Sequence, residues 1–211
     1  MRYFNTCIFL LICFTFGLFC CTVQPKSDYT AYRTALEHIG DSSMYCRIVL
    51  FDSIVPKYGF DSKERLLIEK EMQRFDSLDL VKVLALKKHY GFPAYSKVGE
   101  QAGNNAFLAI QHADAKTRKA FLPELVRAAK KCEASLYNVA LMQDRVRMDD
   151  GKKQLYGTQY MRKTLPDGST VDYVCPIEDY ANVDKRRIKM GLDSFHVFLK
   201  KMELTYDPAG N

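Results

Sequence analysis

The stretch from Glu133 to Met148 constrains the fold more than any other part of the chain. Its apolar residues recur at helical spacing and form two stripes on nearly opposite sides of a helix. One stripe contains Tyr137, Ala140, Leu141 and Met148, and the other contains Leu136, Val139, Met142 and Val146. A helix that is apolar on both sides is typical of a central, buried element. Asp144 falls in the middle of the first stripe, so the sequence predicts an acidic side chain inside the core.

A carboxylate in that position requires partners. An ionised and isolated Asp144 would cost on the order of several kcal/mol, so the group must be paired, hydrogen-bonded or protonated. Arg145 points about 100° away on the helix and is a poor intrahelical partner. We therefore expect the partner to come from elsewhere in the fold. A structural ion pair with Arg186 or Arg187 is one interpretation, and a role in a functional site is the other.

Helical periodicity in the rest of the chain predicts a mainly α fold. We expect one globular domain over residues 26–204, with N-terminal helices in residues 22–75 and a helical core in residues 76–204. Seven helices are expected at 29–39, 44–55, 62–75 capped by Asp61, 78–89, 98–113, from Asp114 towards 131, and 133–148. A short helix within 176–191 should end at Gly191, and a last one, capped by Asp193, should run through Met202. Two β-prone runs around Asp167 and Gly168 predict one small C-terminal β-hairpin.

The first 21 residues have the pattern of an export signal. Arg2 precedes an uncharged apolar run from Cys7 to Phe19, which is shorter than the roughly 20 residues of a membrane-spanning helix. The paired cysteines that follow resemble a bacterial lipoprotein signal, with Cys21 as the lipid-bearing residue. Simple cleavage and an uncleaved anchor are the alternatives. The protein is expected to be exported, either periplasmic or attached to the membrane by a lipid anchor.

Cysteine spacing and charge exclude several other classes. Cys46, Cys132 and Cys175 can form at most one disulfide and lack the paired spacing of a zinc site, which favours buried thiols. The net charge of +6 is spread along the chain, so we expect no nucleic-acid partner. Membrane contact is expected only through the N-terminal segment or its lipid. Nothing in the sequence indicates a cofactor.

Two polar clusters are candidate site residues. Gln111, His112 and Asp114 lie where an apolar helix ends; His112 is either a structural helix-terminal imidazole or a general base, and Asp114 suits a helix cap. The second cluster follows a turn at Gly151 in an irregular stretch, where binding groups are often found. It consists of Gln154, Tyr156, Thr158 and Gln159, which we expect to line a pocket together with Gln111.

Three functions compete. In the first, the polar groups form a pocket for a small ligand or a network that fixes the helices. In the second, a hydrolase, His112 is the general base, Asp144 orients it, and Arg145 or Gln159 holds the developing negative charge. No G-x-S-x-G motif is present, so water or Thr158 would be the nucleophile. In the third, His112, Asp114 and Asp144 bind a metal. We rank the three functions in that order.

Seven motifs occur in an order that resembles a bacterial family known only as domain-of-unknown-function family 6624. They are HYGFP at 89–93, VG at 98–99, QHAD at 111–114, DRV at 144–146, Q-x-YGTQ at 154–159, PIED at 176–179, and VDKRR at 183–187 with GL at 191–192. The resemblance covers about residues 76–199 and implies a shared fold and site, but no established activity. Cys132 stands where the family usually has glycine, and the residues from Ser43 to Arg47 lack its Asp-Gln-x-x-Arg pattern.

Overall fold

The structure, a computed structural model, describes residues 28–165, 167, 169–206 and 208. The predicted export signal with Cys21, and Gly168 of the predicted turn, lie outside these residues. The predicted fold class is confirmed, because helices dominate and a small sheet lies near the C-terminus. Within the described part of the chain, no helix has the length and apolar character needed to cross a membrane.

The elements follow one another with short connections. The helices are α1 (Thr30–Glu37), α2 (Asp41–Val49), α3 (Val55–Tyr58), α4 (Lys63–Tyr90), α5 (Tyr95–Val98), α6 (Glu100–Gln111), α7 (Ala115–Ala129), α8 (Leu136–Asp149), α9 (Val183–Lys189) and α10 (Phe195–Lys201), and the strands are β1 (Tyr160–Thr164), β2 (Thr170–Val174) and β3 (Thr205–Tyr206). A π-helical turn at Leu50–Ile54 joins α2 to α3, and a 3-10 turn at Tyr180–Asn182 precedes α9.

Helix α4 corrects the prediction of two separate helices. It is one helix of 28 residues that begins after Ser62, whose hydroxyl accepts from the Arg65 N–H at 3.2 Å, so Asp61 is not the cap. Nothing between its ends opposes a helix, since the stretch contains neither glycine nor proline. Asp76, near the middle of this helix, accepts from the Arg47 guanidinium of α2 at 2.8 and 3.3 Å.

The main core surrounds α6, whose Ala106 and Ile110 are completely buried. Helices α1, α4, α5, α7 and α8 contribute the other core residues, together with Ile39 between α1 and α2. On α8, Val139 and Met142 are buried, as the stripe pattern predicts. Leu136 and Tyr137 in its first turn are 43% and 48% exposed, because that turn lies at the edge of the fold. The helix is therefore buried mainly over its middle, from Asn138 to Asp144.

The predicted hairpin forms, with one addition. Strands β1 and β2 pair antiparallel, with Tyr160 opposite Val174. The short strand β3 then pairs parallel with β2. The sequence contains no indication of β3, because two residues are too few to show an alternating pattern. A second apolar cluster, including Val174 and Phe195, packs this sheet against α10. The predicted cap of the last helix is wrong by one residue, since Ser194 accepts from the Val197 N–H at 3.4 Å.

The turn between α7 and α8 forms although it lacks the family's glycine. Cys132 there has a φ of +57°, a left-handed backbone conformation that favours glycine. Its side chain is exposed, whereas Cys46 is buried, so the prediction of buried thiols fails for Cys132. The turn is therefore strained at one residue while the helices it joins keep their packing.

Candidate functional site

Asp144 on α8 holds the irregular segment 154–159, which we call the glutamine loop. Its Oδ1 accepts from the main-chain N–H of Leu155 at 2.7 Å and of Tyr156 at 3.1 Å. Its Oδ2 accepts from the N–H of Thr158 at 3.0 Å and from the Thr158 hydroxyl at 2.9 Å. The residue has no exposed surface. The buried carboxylate thus organises a loop that has no regular secondary structure of its own.

The charge state of Asp144 follows from these contacts. Burial raises the pKa of Asp144, and the hydrogen bonds from Leu155, Thr158 and Tyr156 oppose that shift. A proton on either carboxyl oxygen of Asp144 would face an N–H or O–H group that is itself a hydrogen-bond donor. The geometry therefore fits the ionised form. The predicted salt bridge to Arg186 or Arg187 is absent among the described residues. Instead, Arg186 donates to the Leu155 carbonyl at 2.7 Å and Arg187 to the Tyr156 carbonyl at 2.6 Å.

Two of the predicted ligand-binding residues, Gln154 and Tyr156, hold the glutamine loop in place. Gln154 is fully buried and donates to the carbonyls of Gln159 and Cys175 at 2.8 and 2.9 Å, while its Oε1 accepts from the Gln159 N–H at 2.7 Å. The Tyr156 hydroxyl donates to Gln143 at 3.0 Å. These contacts use the polar atoms of both side chains to hold the loop against its neighbours.

The other predicted binding residues meet at one cavity, which we call the arginine cleft. Its volume is about 480 Å³. It lies between α8, the glutamine loop, β1 and α10. Its walls consist of Gln111, Tyr137, Leu141, Arg145, Thr158, Gln159, Tyr160, Arg187, Leu192, Asp193, Phe198, Lys201 and Met202. The structure therefore brings together Gln111, Arg145, Thr158 and Gln159.

Arg145 is the central polar group of the arginine cleft. Its Nε donates to Gln159 Oε1 at 2.9 Å, and its Nη1 donates to the Gln111 carbonyl at 3.3 Å. Burial, followed by the positive charge of Arg118, lowers the pKa of Arg145. The guanidinium stays charged at neutral pH. Within the described part of the chain Arg145 forms no salt bridge. Asp149, a carboxylate on the same helix, is bound in bidentate fashion by Arg118.

The remaining polar groups of the cleft differ in whether they have hydrogen-bond or ion-pair partners within the protein. Lys201 is paired with Asp193 at 2.7 Å, so this carboxylate is engaged. Arg187 is 1% exposed and donates to the main-chain oxygens of Tyr156 and Asp193. Gln111 is 9% exposed, and its side-chain Oε1 is buried without a hydrogen-bond partner among the described residues. The cleft therefore contains two guanidinium groups without a salt bridge among the described residues, Arg145 and the almost fully buried Arg187, and one unsatisfied acceptor.

His112 lies outside the arginine cleft. It lines two smaller cavities of about 200 and 320 Å³, and Asp76 lines both of them too. Desolvation by the surrounding protein atoms, followed by the positive charge of Arg47, lowers the pKa of His112 to about 4. The residue keeps an exposed surface, so water screens part of this effect, but the direction makes the imidazole neutral at pH 7.

The structure does not assemble the two reactive arrangements that the sequence suggested. No hydrogen bond joins His112 to Asp144 among the described residues, so the predicted base lacks its orienting carboxylate. Asp114 caps α7 by accepting from the Thr117 N–H at 2.8 Å. The described residues contain no group of three or more His, Cys, Asp and Glu side chains placed to hold a metal ion. The hydrolase and metal-site hypotheses therefore lack these particular constellations.

Sequence reasoning missed several walls of the arginine cleft. Tyr160 begins β1, and Phe198 and Lys201 belong to α10, which is about 40 residues further along the chain than the glutamine loop. No local pattern could indicate that α10 folds over the loop. One signal was available for His112: consecutive helical residues point about 100° apart, so Gln111 and His112 should face different cavities.

Comparison with known proteins gives a single result. No curated protein and no solved structure matches this chain. The model of a family of unknown function matches residues 52–209, which is most of the chain and includes α8, the glutamine loop and the sheet. The chain therefore belongs to the family of unknown function DUF6624.

Proposed function

We propose that the arginine cleft binds a small organic anion, and that the protein acts as a ligand-binding protein. The observation that carries this proposal is Arg145, a half-buried guanidinium that forms no salt bridge with a carboxylate of the described chain. Removing a cation from water is costly, and an anion in the cleft would offset that cost with charge-assisted hydrogen bonds. A planar guanidinium fits a carboxylate or phosphate particularly well.

The two contacts of Arg145 with the protein prepare it for this role. Gln159 and the Gln111 carbonyl use one proton on Nε and one on Nη1 and fix the plane of the group. Three further N–H donors remain for a ligand, since a guanidinium carries five. Gln159 is itself positioned by Gln154 and, through the glutamine loop, by Asp144. Asp144 thus helps to position Gln159 although it does not itself line the cleft.

The size and walls of the cleft indicate the body of the ligand. A volume of about 480 Å³ lies within the roughly 300–1,000 Å³ typical of small-molecule sites. Tyr137 and Tyr160 are each about half exposed, and Phe198 adds a third ring. Aromatic walls favour a ligand with an apolar or ring-bearing part. A carboxylate or phosphate attached to a compact apolar body matches both features.

We further propose that this binding takes place outside the cytoplasm. The proposal rests on the charged start and the short apolar run in residues 1–21. It includes lipid attachment at Cys21 as the means of keeping the protein at a membrane surface.

Calorimetry and thermal unfolding test the binding proposal. Phenylacetate and phenyl phosphate should bind and raise the melting temperature, with about 2.7 kcal/mol of added stability at 100 times the Kd. The neutral analogue phenylacetamide should bind much more weakly. Arg145→Met should remove anion binding, whereas Arg74→Met is the matched control, because Arg74 is exposed on α4. Equal binding of phenylacetamide, or full binding by Arg145→Met, would contradict the proposal.

A further inference from the structure

The unsatisfied oxygen of Gln111 is an exception in this fold. Among the described residues, only two buried side-chain polar atoms have no hydrogen-bond partner, and the other, Nε of Arg65, does not line the arginine cleft. Native proteins leave few such atoms, because an unpaired buried acceptor keeps the cost of its lost hydration. Gln111 lines the cleft, but its Oε1 has almost no exposed surface, so a ligand in the cleft becomes its partner when the side chain turns toward the cavity.

The position of Gln111 relative to Arg145 fixes where that partner must be on the ligand. The Gln111 main-chain oxygen accepts from Nη1 of Arg145 at 3.3 Å, so the glutamine and the guanidinium are adjacent. Both residues line the arginine cleft, so an anion bound by Arg145 occupies the cavity that Gln111 also borders. Two other acceptors in the wall already have partners: Gln159 Oε1 accepts from Arg145, and Oδ2 of Asp193 is paired with Lys201.

We propose that the ligand carries a hydrogen-bond donor, a hydroxyl or an ammonium group, on the carbon next to its anionic group, as 2-hydroxy and 2-amino acids do. This inference rests on the proposed function, since Arg145 must hold the anion before Gln111 can select its neighbour. Arg145 recognises the charge, the aromatic walls hold the body, and Gln111 accepts from the donor. Sites built to accept a hydrogen bond discriminate strongly against ligands that lack the donor, because a buried acceptor is then left unpaired.

Four acids that share the phenylacetate skeleton separate the contribution of the anionic group from that of the hydrogen-bond donor. Phenylacetate has no donor, mandelate has a hydroxyl, phenylglycine has an ammonium group, and 2-methoxy-2-phenylacetate has an oxygen that cannot donate. Isothermal titration of the whole protein should show mandelate or phenylglycine binding about ten-fold more tightly than phenylacetate, equal to about 1.4 kcal/mol. The methoxy acid should show no such gain. The better of mandelate and phenylglycine identifies the donor.

Variants at Gln111 complete the test. Gln111→Met should lose the preference for mandelate or phenylglycine over phenylacetate, measured as the ratio of the affinities within the variant. It should fold at least as stably, because it removes an unsatisfied polar atom, and Gln111→Leu provides a second variant of similar chemistry. Equal affinity for all four acids in the original protein, or a preference that persists in both variants, would overturn the inference. Binding of none of the acids, or binding independent of Arg145, would instead overturn the proposed function.

Discussion

Replacing Asp144 with asparagine should destabilise the protein strongly although it changes a single atom. The carboxylate accepts hydrogen bonds from three main-chain N–H groups, of Leu155, Tyr156 and Thr158, and from the Thr158 hydroxyl. An asparagine has one acceptor oxygen, so its NH₂ group would face donors on the other side. At least one buried N–H would lose its partner and meet another donor. Each loss costs about 1–3 kcal/mol, so we expect a total of about 2–4 kcal/mol.

Urea unfolding followed by circular dichroism measures this change in the free energy of unfolding. Asp150→Asn is the matched control, because Asp150 is an exposed residue just after the same helix, and its ion pairs with Lys119 and Lys152 lie at the surface. Its replacement should change stability by about 1 kcal/mol or less. Hydrogen exchange adds a local readout. The amides of Leu155, Tyr156 and Thr158 should lose protection in Asp144→Asn, and those of α6 should lose much less.

A loss of under about 0.5 kcal/mol with unchanged protection of the three amides would refute the reasoning about Asp144. It would mean that the loop is held by its other contacts, such as those of Arg186 and Arg187 with its carbonyls. The proposed role of the buried acid as support for the arginine cleft would then be wrong.

Four further predictions follow from other parts of the molecule. Gln111→Glu should place a carboxylate beside Arg145 and reduce phenylacetate binding at least ten-fold in calorimetry, without loss of helical circular dichroism. Below pH 6.5 the unfolded chain protonates His112, while the folded protein does so only near pH 4, so stability should fall as pH drops through this window. His112→Gln should flatten that part of the curve, by less than the about 1.4 kcal/mol per pH unit of a fully shielded group. Cys132→Gly should raise stability by about 0.5 kcal/mol, since relief of the left-handed residue exceeds the added chain entropy, and Cys132→Ser should not. Cys21→Ser should move the protein from the membrane to the soluble fraction of its host; unchanged fractionation would contradict lipid attachment there.

The burial of Asp144 was predictable, but its partners were not. Helical periodicity fixes the direction of each side chain, so the sequence placed this acid among apolar neighbours. Its partners are main-chain groups of an irregular loop more than ten residues away, and main-chain N–H groups carry no residue-specific signal. The search for an oppositely charged side chain therefore pointed to Arg186 and Arg187, which bind the same loop through its carbonyls.

Tertiary contacts explain the other differences. Two helices were expected where α4 is continuous, because the apolar positions of 62–75 and 78–89 form two separate runs, although no glycine or proline lies between them. His112 was grouped with Asp144 because both are polar residues near an apolar core. The fold places His112 with Asp76, on a different side of α6 from the arginine cleft. The residues of α10 that complete the cleft could be found only from the fold.

The most direct test of the central claim is a side-chain NMR titration of Arg145. Its Nε–H is hydrogen-bonded to Gln159, which favours a slowly exchanging, observable signal, and Arg145→Lys assigns that signal by its disappearance. During titration with mandelate, the Arg145 signal should shift and saturate with the Kd found by calorimetry, while the signal of exposed Arg74 follows only ionic strength. Saturable binding that leaves the Arg145 signal unmoved would contradict the account.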